Sequence, residues 1–166
     1  MEKLWSPWRS NYIDSFKDKD KNEECVFCKA ASENPDDDSS LVVYKGSNSF
    51  IVLNLYPYNG GHLMIVPNRH INHLLELTEN ETLEIFKLSK LSIKALINIM
   101  KPQGFNYGAN IGKAAGAGID THLHYHILPR WNGDTNFMPT IGEVKVISQD
   151  LLDIKRKLQK EIKELI

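Results

Sequence analysis

The sequence has few cysteines, almost no net charge and no long apolar run. Its 20 Lys and Arg residues nearly balance 21 Asp and Glu residues, so no global basic field indicates a nucleic-acid partner. No apolar run approaches the roughly 20 residues of a membrane span, and the first residues lack the apolar core of a signal peptide. We therefore expect a cytoplasmic protein with neither a membrane nor nucleic acid as its partner.

The two cysteines are Cys25 and Cys28. In a reducing cytoplasm, a Cys-x-x-Cys pair is more often a metal half-site or a redox pair than a structural disulfide. Two thiolates at this spacing can bind one zinc ion, but a closed tetrahedral site needs four ligands. Because the sequence has no third cysteine, the other candidate ligands are histidines. Reduced surface thiols and an empty remnant of a site remain as alternatives.

The order of apolar runs predicts an α+β domain with an antiparallel sheet of about five strands, a long central helix and a C-terminal helix. The predicted strands cover residues 41–45, 50–55, 62–66, 105–110 and 121–128. No linker is long enough to divide the chain. We expect one domain over residues 1–166, with an N-terminal extension over 1–24 and a C-terminal extension with its helix over 132–166.

The long central helix has recognisable start and stop signals. Thr78 and Glu81 fit a capping box, and Pro102 and Gly104 end the helix. An apolar row at steps of three and four is formed by Leu83, Phe86, Ile93, Ile97 and Met100. This face is broad enough to predict a buried helix. A second helix from about Asp150 carries an apolar face of its own.

Three histidines alternate in the last predicted strand: His122, His124 and His126. Alternate residues of a strand point to one face at spacings of about 7 Å, so these rings face one side, next to the glycine-rich segment 112–118. Three imidazoles in a row bury polar surface without adding core packing. This favours a functional role over the alternative that the histidines are merely hydrogen-bonded in the core or exposed to solvent. A metal site made of all three rings is the second alternative.

The run His122-Leu123-His124-Tyr125-His126-Ile127-Leu128 resembles the histidine triad of the HIT superfamily. Asn54, the segment Gly61-His62-Leu63-Met64-Ile65-Val66-Pro67 and His70 resemble the upstream strand pair of that family. The resemblance implies a HIT-like fold, usually a homodimer, that acts on a nucleotide substrate. For His62, a structural role such as bonding the backbone of the triad strand is favoured over chemistry.

The resemblance also implies a mechanism. His124 attacks the α-phosphate of a nucleotide as a neutral imidazole and forms a nucleotidyl-histidine intermediate. His126 hydrogen-bonds or protonates the departing phosphate oxygen, and backbone amides of the segment 112–118 hold phosphate oxygens. The substrate-binding residues predicted in this way are Asn54, Asn110, Gly116, Gly118 and Trp131. The metal ligands implied beside Cys25 and Cys28 are His70 and His122, which together complete a structural zinc site.

The acceptor in the reaction depends on the branch of the superfamily. The opening Leu4-Trp5-Ser6-Pro7-Trp8-Arg9 and the closing Pro129-Arg130-Trp131 resemble the diadenosine tetraphosphate phosphorylase branch, in which phosphate is the acceptor. Related enzymes place Ser, Thr or Gln where this chain has Gly118, which points toward water as the acceptor instead. Phosphorolysis is favoured over hydrolysis of dinucleoside polyphosphates or phosphoramidates. Two further alternatives are a nucleotide-binding protein without turnover and a hexose-phosphate nucleotidyltransferase, a branch that typically has Gln at the third triad position.

Overall fold

A computed structural model describes residues 25–134 and 150–166 of the chain. The branch motif predicted at residues 4–9 lies outside the described residues. The helices and strands are α1 (Val26–Ser32), β1 (Val42–Lys45), β2 (Ser49–Leu53), β3 (Leu63–Pro67), α2 (Glu79–Met100), β4 (Gly104–Gly108), β5 (Tyr125–Arg130) and α3 (Leu151–Leu165), with short 3-10 turns at Leu74–Glu76 and Lys113–Ala115.

The five strands form one sheet in the order β1-β2-β3-β5-β4, and every pair is antiparallel. β2 and β3 are buried along their whole length, with Ile51 opposite Ile65 at the centre of the pair. β5 lies between β3 and β4, so its side chains are held from both sides. The α+β class and the five-stranded antiparallel sheet predicted from the sequence are confirmed.

The prediction for the last strand was wrong at its start. Pairing with β3 begins at Tyr125, opposite Ile65, rather than at residue 121. Leu123 instead donates its backbone N–H to the carbonyl oxygen of Ile71 at 2.6 Å, which attaches this segment to the loop after β3. His122 and His124 therefore lie on an extended segment that leads into the sheet, where the ladder does not occupy their backbone groups.

Helix α2 begins at the predicted capping box, with Thr78 as the N-cap residue and Glu81 completing the box. Its buried side, which includes Ile85, Leu88 and Leu96, packs on the sheet. Three members of the predicted apolar row lie on the opposite side and are largely exposed: Leu83, Phe86 and Ile97. Only part of the predicted apolar row therefore reaches the core of this chain.

Helix α3 packs against α2 and β1 through Ile154, Leu158 and Ile162, as its predicted apolar face requires. The buried Lys155 donates to the carbonyl oxygen of Asp37 at 2.6 Å, which attaches the helix to the acidic loop before β1. Among the described helices, none combines the length and the apolar character that a membrane crossing requires.

An ion pair connects the start of α2 to the loop after β3. The Glu81 side chain is only 5% exposed and accepts hydrogen bonds from Arg69 at 2.6 and 2.7 Å and from the Thr78 N–H and hydroxyl at 2.8 Å. The hydrogen bond from Arg69 is the largest cause that lowers the pKa of Glu81 from 4.5 to about 2, against the opposing effect of burial. This pair fixes the loop that carries His70.

We predict that Glu81→Gln lowers the free energy of unfolding at pH 7 by about 1–3 kcal/mol, because Arg69 and Thr78 lose a charged acceptor. A carboxylate whose pKa is depressed in the folded state stabilises the fold above its ordinary value of 4.5, and this contribution is lost as the pH falls toward 2. Urea unfolding at pH 7 and pH 3 should show the gap between variant and wild type narrowing in acid. Glu79→Gln, an exposed change in the same turn, should cost little at either pH. Equal losses in the two variants would contradict the assignment.

Candidate active site

A cavity of about 450 Å³ opens where the triad segment enters the sheet. Its wall is largely apolar and is built from α1, the ends of β2 and β3, and the loop before β5. Two triad rings face it, those of His124 and His126. Four of the five predicted substrate-binding residues also line it: Asn54, Asn110, Gly116 and Gly118. An apolar cavity with a few convergent polar groups has the form of a small-molecule site.

The ring of His124 is fixed by its own backbone. Nδ1 donates to the carbonyl oxygen of His122 at 2.8 Å, so Nε2 carries the lone pair of the neutral ring. The side chain is 5% exposed, and this burial is the largest cause that lowers the pKa of His124 below its ordinary value. A neutral imidazole with one nitrogen held by a hydrogen bond is the form a nucleophilic histidine requires.

The ring of His126 is oriented by His62, a contact that the sequence did not predict. The Tyr58 N–H donates to Nδ1 of His62 at 3.2 Å, so the His62 proton lies on Nε2. This Nε2 donates to Nδ1 of His126 at 2.9 Å. The neutral His126 ring therefore carries its own proton on Nε2. The two catalytic candidates hold opposite tautomers, with an acceptor nitrogen on His124 and a donor nitrogen on His126.

Asn54 supports the same arrangement from the end of β2. It is 9% exposed, and its Oδ1 accepts the Tyr56 N–H at 2.9 Å. Its Nδ2 therefore lies toward Nδ1 of His62, at 3.3 Å. The amide is engaged with its own turn and with His62 while it also lines the cavity.

A second cluster lies at the start of the triad segment, where the donor atoms of Cys25, Cys28, His70 and His122 are all within 4.8 Å of one another. Nδ1 of His122 is 3.3 Å from Sγ of Cys25 and 3.7 Å from Sγ of Cys28, and Nδ1 of His70 is 3.2 Å from Sγ of Cys28. A tetrahedral zinc ion with thiolate and imidazole ligands separates neighbouring S and N atoms by about 3.6 Å. These four residues can therefore hold a tetrahedral metal ion.

The buried ring of His122 is also prepared for a metal. Its Nε2 donates to the carbonyl oxygen of Pro67 at 2.9 Å, which leaves the lone pair on Nδ1, facing the two thiols. Burial lowers the pKa of His122, with a smaller contribution from His70 and His124 nearby. The ring is thereby favoured in the neutral form that coordinates a cation.

Comparison with known proteins decides the family. The HIT domain family model matches residues 36–133 of this chain, which include the whole histidine run.

The chain belongs to the HIT domain family.

Among curated HIT proteins, the AP-4-A phosphorylase of Mycobacterium tuberculosis is 42% identical over 164 residues, which cover 97% of this chain and 84% of that protein. An uncharacterized HIT-like protein of Methanocaldococcus jannaschii is 32% identical over 76% of this chain and 93% of its own length.

Solved HIT structures share the architecture. A Zn-bound histidine triad family protein from Mycobacterium smegmatis superposes with a TM-score of 0.68, at 23% identity, and covers 86% of this chain and 95% of its own. A HIT family member from Bacillus subtilis gives a TM-score of 0.59 at 26% identity, covering 86% of this chain and 94% of its own. At 23% identity, the likeness to the Mycobacterium smegmatis protein shows the fold alone.

The structure places most of the predicted site residues of this HIT domain together, with one exception. Trp131 follows β5, is half-buried, and is not among the residues that line the cavity. Its backbone N–H donates to Asp134 at 3.1 Å. Its predicted contact with substrate stays a prediction.

Sequence reasoning missed several parts of the site. The cavity wall formed by helix α1 was not predicted, and neither was the ring contact of His62, for which a backbone bond was expected. Tyr56 and Tyr58 also line the cavity from the loop after β2. That loop lies between two strands of the family motif, and this position was the one sequence signal that could have placed the two tyrosines at the site.

Proposed function

We propose that this HIT protein is a dinucleoside polyphosphate phosphorylase that transfers a nucleotidyl group through His124. The observation that carries the proposal is the hydrogen bond from Nδ1 of His124 to the carbonyl oxygen of His122 at 2.8 Å, because it presents Nε2 as a nucleophile beside the cavity. The name of the Mycobacterium tuberculosis relative, AP-4-A phosphorylase, supports diadenosine tetraphosphate as the substrate.

In the first step, Nε2 of His124 attacks the α-phosphorus of the bound dinucleotide. A P–N bond forms while the bond between the α-phosphorus and the bridging oxygen breaks, and ATP leaves. The N–H that this tautomer of His126 places on Nε2 hydrogen-bonds an oxygen of the departing chain and stabilises the negative charge that the oxygen gains as the bond breaks. His62 takes no direct part, since it acts by holding the His126 ring through Nδ1.

The apolar wall is suited to one nucleoside, and the polar groups around it are suited to the ribose and the phosphates. We assign Asn54 to the ribose, and Asn110 with the backbone amide at Gly118 to phosphate oxygens. The N–H of Gly116 donates to the carbonyl oxygen of Lys113 at 2.9 Å, so we assign Gly116 to shaping the turn beside the phosphates. Gly116 takes a positive φ of 88°, which favours glycine there and lets the backbone turn toward the cavity. Trp131 stays a proposed substrate contact from outside the cavity wall.

In the second step, an acceptor attacks the phosphorus of the nucleotidyl-histidine and releases His124. Inorganic phosphate then gives ADP, whereas water gives AMP. The 42% identity to the AP-4-A phosphorylase, which extends over 97% of this chain, supports phosphate as the acceptor. Gly118, which has no side chain to bond a phosphate, is the observation that favours a hydrolase as the second candidate.

We predict that diadenosine tetraphosphate with millimolar phosphate yields ADP and ATP, and that product formation falls strongly when phosphate is omitted. Separation of the nucleotides by anion-exchange chromatography checks this. Asn110→Ala should raise the KM for phosphate more than the KM for the dinucleotide. AMP as the partner of ATP in both mixtures would show that the enzyme is a hydrolase, and failure to turn over any dinucleotide would indicate a binding protein.

For the metal cluster we propose zinc in a structural role. Two thiolates and two imidazoles form a donor set that zinc prefers, and a complete Cys₂His₂ set leaves no position open for substrate. The ion would connect α1 and the loop carrying His70 to the triad segment. The reduced thiols that such a site needs also support a cytoplasmic location.

Elemental analysis of the purified protein should find about one zinc per chain. Cys25→Ser with Cys28→Ser should lose the metal and melt at a lower temperature, because metal binding contributes to folding free energy. Ser32→Ala, an exposed change on the same helix, should keep both the metal and the melting temperature. A double variant that melts like wild type would refute the zinc site.

For assembly we propose a homodimer formed through α2 and β4. The outer side of α2 exposes 55% of Leu83, 55% of Phe86 and 44% of Ile97. Tyr107 of β4 is 41% exposed, and its ring centroid lies 6.4 Å from that of Phe86. β4 is also the last strand of the sheet, so an apolar helix face and a strand edge lie on one surface.

Sedimentation at micromolar concentration should give the mass of two chains. Phe86→Glu should shift the protein to one chain, because a charge in an apolar interface is costly. Lys160→Glu changes the charge of an exposed position on α3 and should leave the dimer intact. A wild-type protein that sediments as a single chain would disprove the assembly.

A further inference from the structure

Phe27 lies between the two cysteines of the metal cluster in sequence and between the metal cluster and the nucleophile in space. Its ring is 4% exposed. The ring centroid lies 5.5 Å from that of His122, edge-on, and 4.9 Å from that of His124. One side chain therefore contacts both a candidate metal ligand and the ring assigned as nucleophile, and it also lines the cavity.

Helix α1 depends on few attachments for its position. It has seven residues, no side-chain hydrogen bond at its N-cap and no acidic residue in its first turn. A helix this short is not stable in water on its own. Two features of the described structure attach it: the thiols of Cys25 and Cys28 at the histidines, and an apolar cluster with β1 to β3 in which Phe27 is the buried member and Ala30 and Ala31 pack beside it.

The same short helix forms one wall of the cavity. Five of its residues or immediate neighbours face the cavity: Val26, Phe27, Lys29, Ala30 and Glu33. The metal ligands would hold this helix at one end, and the nucleotide would contact it along its side. One ordered position of the helix therefore completes both sites. The first ligand to bind loses conformational entropy in ordering the helix, and the second ligand then binds a helix that is already ordered. Binding at one site therefore favours binding at the other.

We propose that Phe27 is a positioning residue that couples the metal cluster to the nucleotide cavity, so that zinc and nucleotide bind with positive cooperativity. The inference rests on the proposed function, since it takes the cavity to be the nucleotide site. With the metal bound, α1 is fixed and Phe27 is seated against the ring of His124. Without the metal, α1 loses one of its attachments and Phe27 is held less firmly against that ring, while Nδ1 of His124 keeps its bond to His122.

Thermodynamic linkage makes the coupling measurable from either side. If zinc tightens nucleotide binding by some factor, the nucleotide tightens zinc binding by the same factor. We expect about a tenfold effect, within the usual range for coupled sites. A zinc ion that only stabilised a distant part of the fold would leave the affinity for nucleotide unchanged in folded protein.

The experiment measures the dissociation constant of AMP in zinc-loaded and zinc-stripped protein, and that of Zn²⁺ by chelator competition with and without AMP. Both should shift by about tenfold in wild type. In zinc-loaded Phe27→Leu, AMP should bind several-fold more weakly, the KM for diadenosine tetraphosphate should rise with kcat also reduced, and the coupling factor should fall toward one. Phe27→Ala should show the same changes more strongly.

Phe50 provides the matched control. It belongs to the same apolar cluster and is 0% exposed, but it does not line the cavity. Phe50→Leu should lower the melting temperature while leaving the AMP affinity and the coupling factor as in wild type. Phe27→Leu and Phe50→Leu are compared with zinc bound. Their AMP affinities therefore test the role of Phe27 even if the zinc-stripped protein unfolds.

Equal loss of AMP affinity in the two Leu variants would overturn the proposal, since the effect would then be one of general stability. Equal AMP affinity in folded zinc-loaded and zinc-stripped wild type would overturn it as well, and would leave the proposed function intact. Wild-type protein that binds neither AMP nor the dinucleotide would instead overturn the proposed function and this coupling together.

Discussion

The ring of His124 donates from Nδ1 to the carbonyl oxygen of His122, two residues earlier in the same chain segment, at 2.8 Å. A histidine that attacks phosphorus needs a lone pair on one nitrogen and a fixed ring, and this single bond provides both. Burial adds to it by lowering the pKa of His124, so the neutral ring is favoured. The rest of the site is arranged around a nucleophile whose orientation is set by its own backbone.

That bond depends on the place where β5 begins. Because pairing with β3 starts only at Tyr125, the carbonyl group of His122 is not committed to the ladder and accepts the ring of His124. The same segment carries His122, whose ring lies against the thiols of the metal cluster. A short stretch outside the sheet therefore serves the metal cluster and the nucleophile at once.

Much of this arrangement could be predicted from local patterns in the sequence. The spacing of Cys25 and Cys28 indicated a half-site, and the family resemblance supplied His70 and His122, which the fold brings within 4.8 Å of those thiols. The capping box at Thr78 is confirmed because caps depend on residues close in sequence. Caps and short ligand spacings can be predicted without knowing how the helices and strands pack together.

Features that depend on distant contacts were not predictable. The row containing Leu83 and Phe86 has the same period whether it faces the core or another chain, so the sequence did not show that it is exposed. The contact between His62 and His126 joins residues 64 positions apart, and nothing local marks it. The position of α1 follows from its thiols and from Phe27 rather than from helix propensity, which is weak over seven residues.

The claim that His124 receives the nucleotidyl group can be tested directly by trapping the intermediate. Zinc-loaded enzyme is mixed with diadenosine tetraphosphate, stopped in alkaline denaturant because a phosphohistidine bond is labile in acid, digested, and its peptides are fragmented in a mass spectrometer. The account predicts one adenylate group on His124, and none on the same peptide from His124→Ala, which should be folded and inactive. An adduct on another residue, or full turnover by His124→Ala, would contradict it.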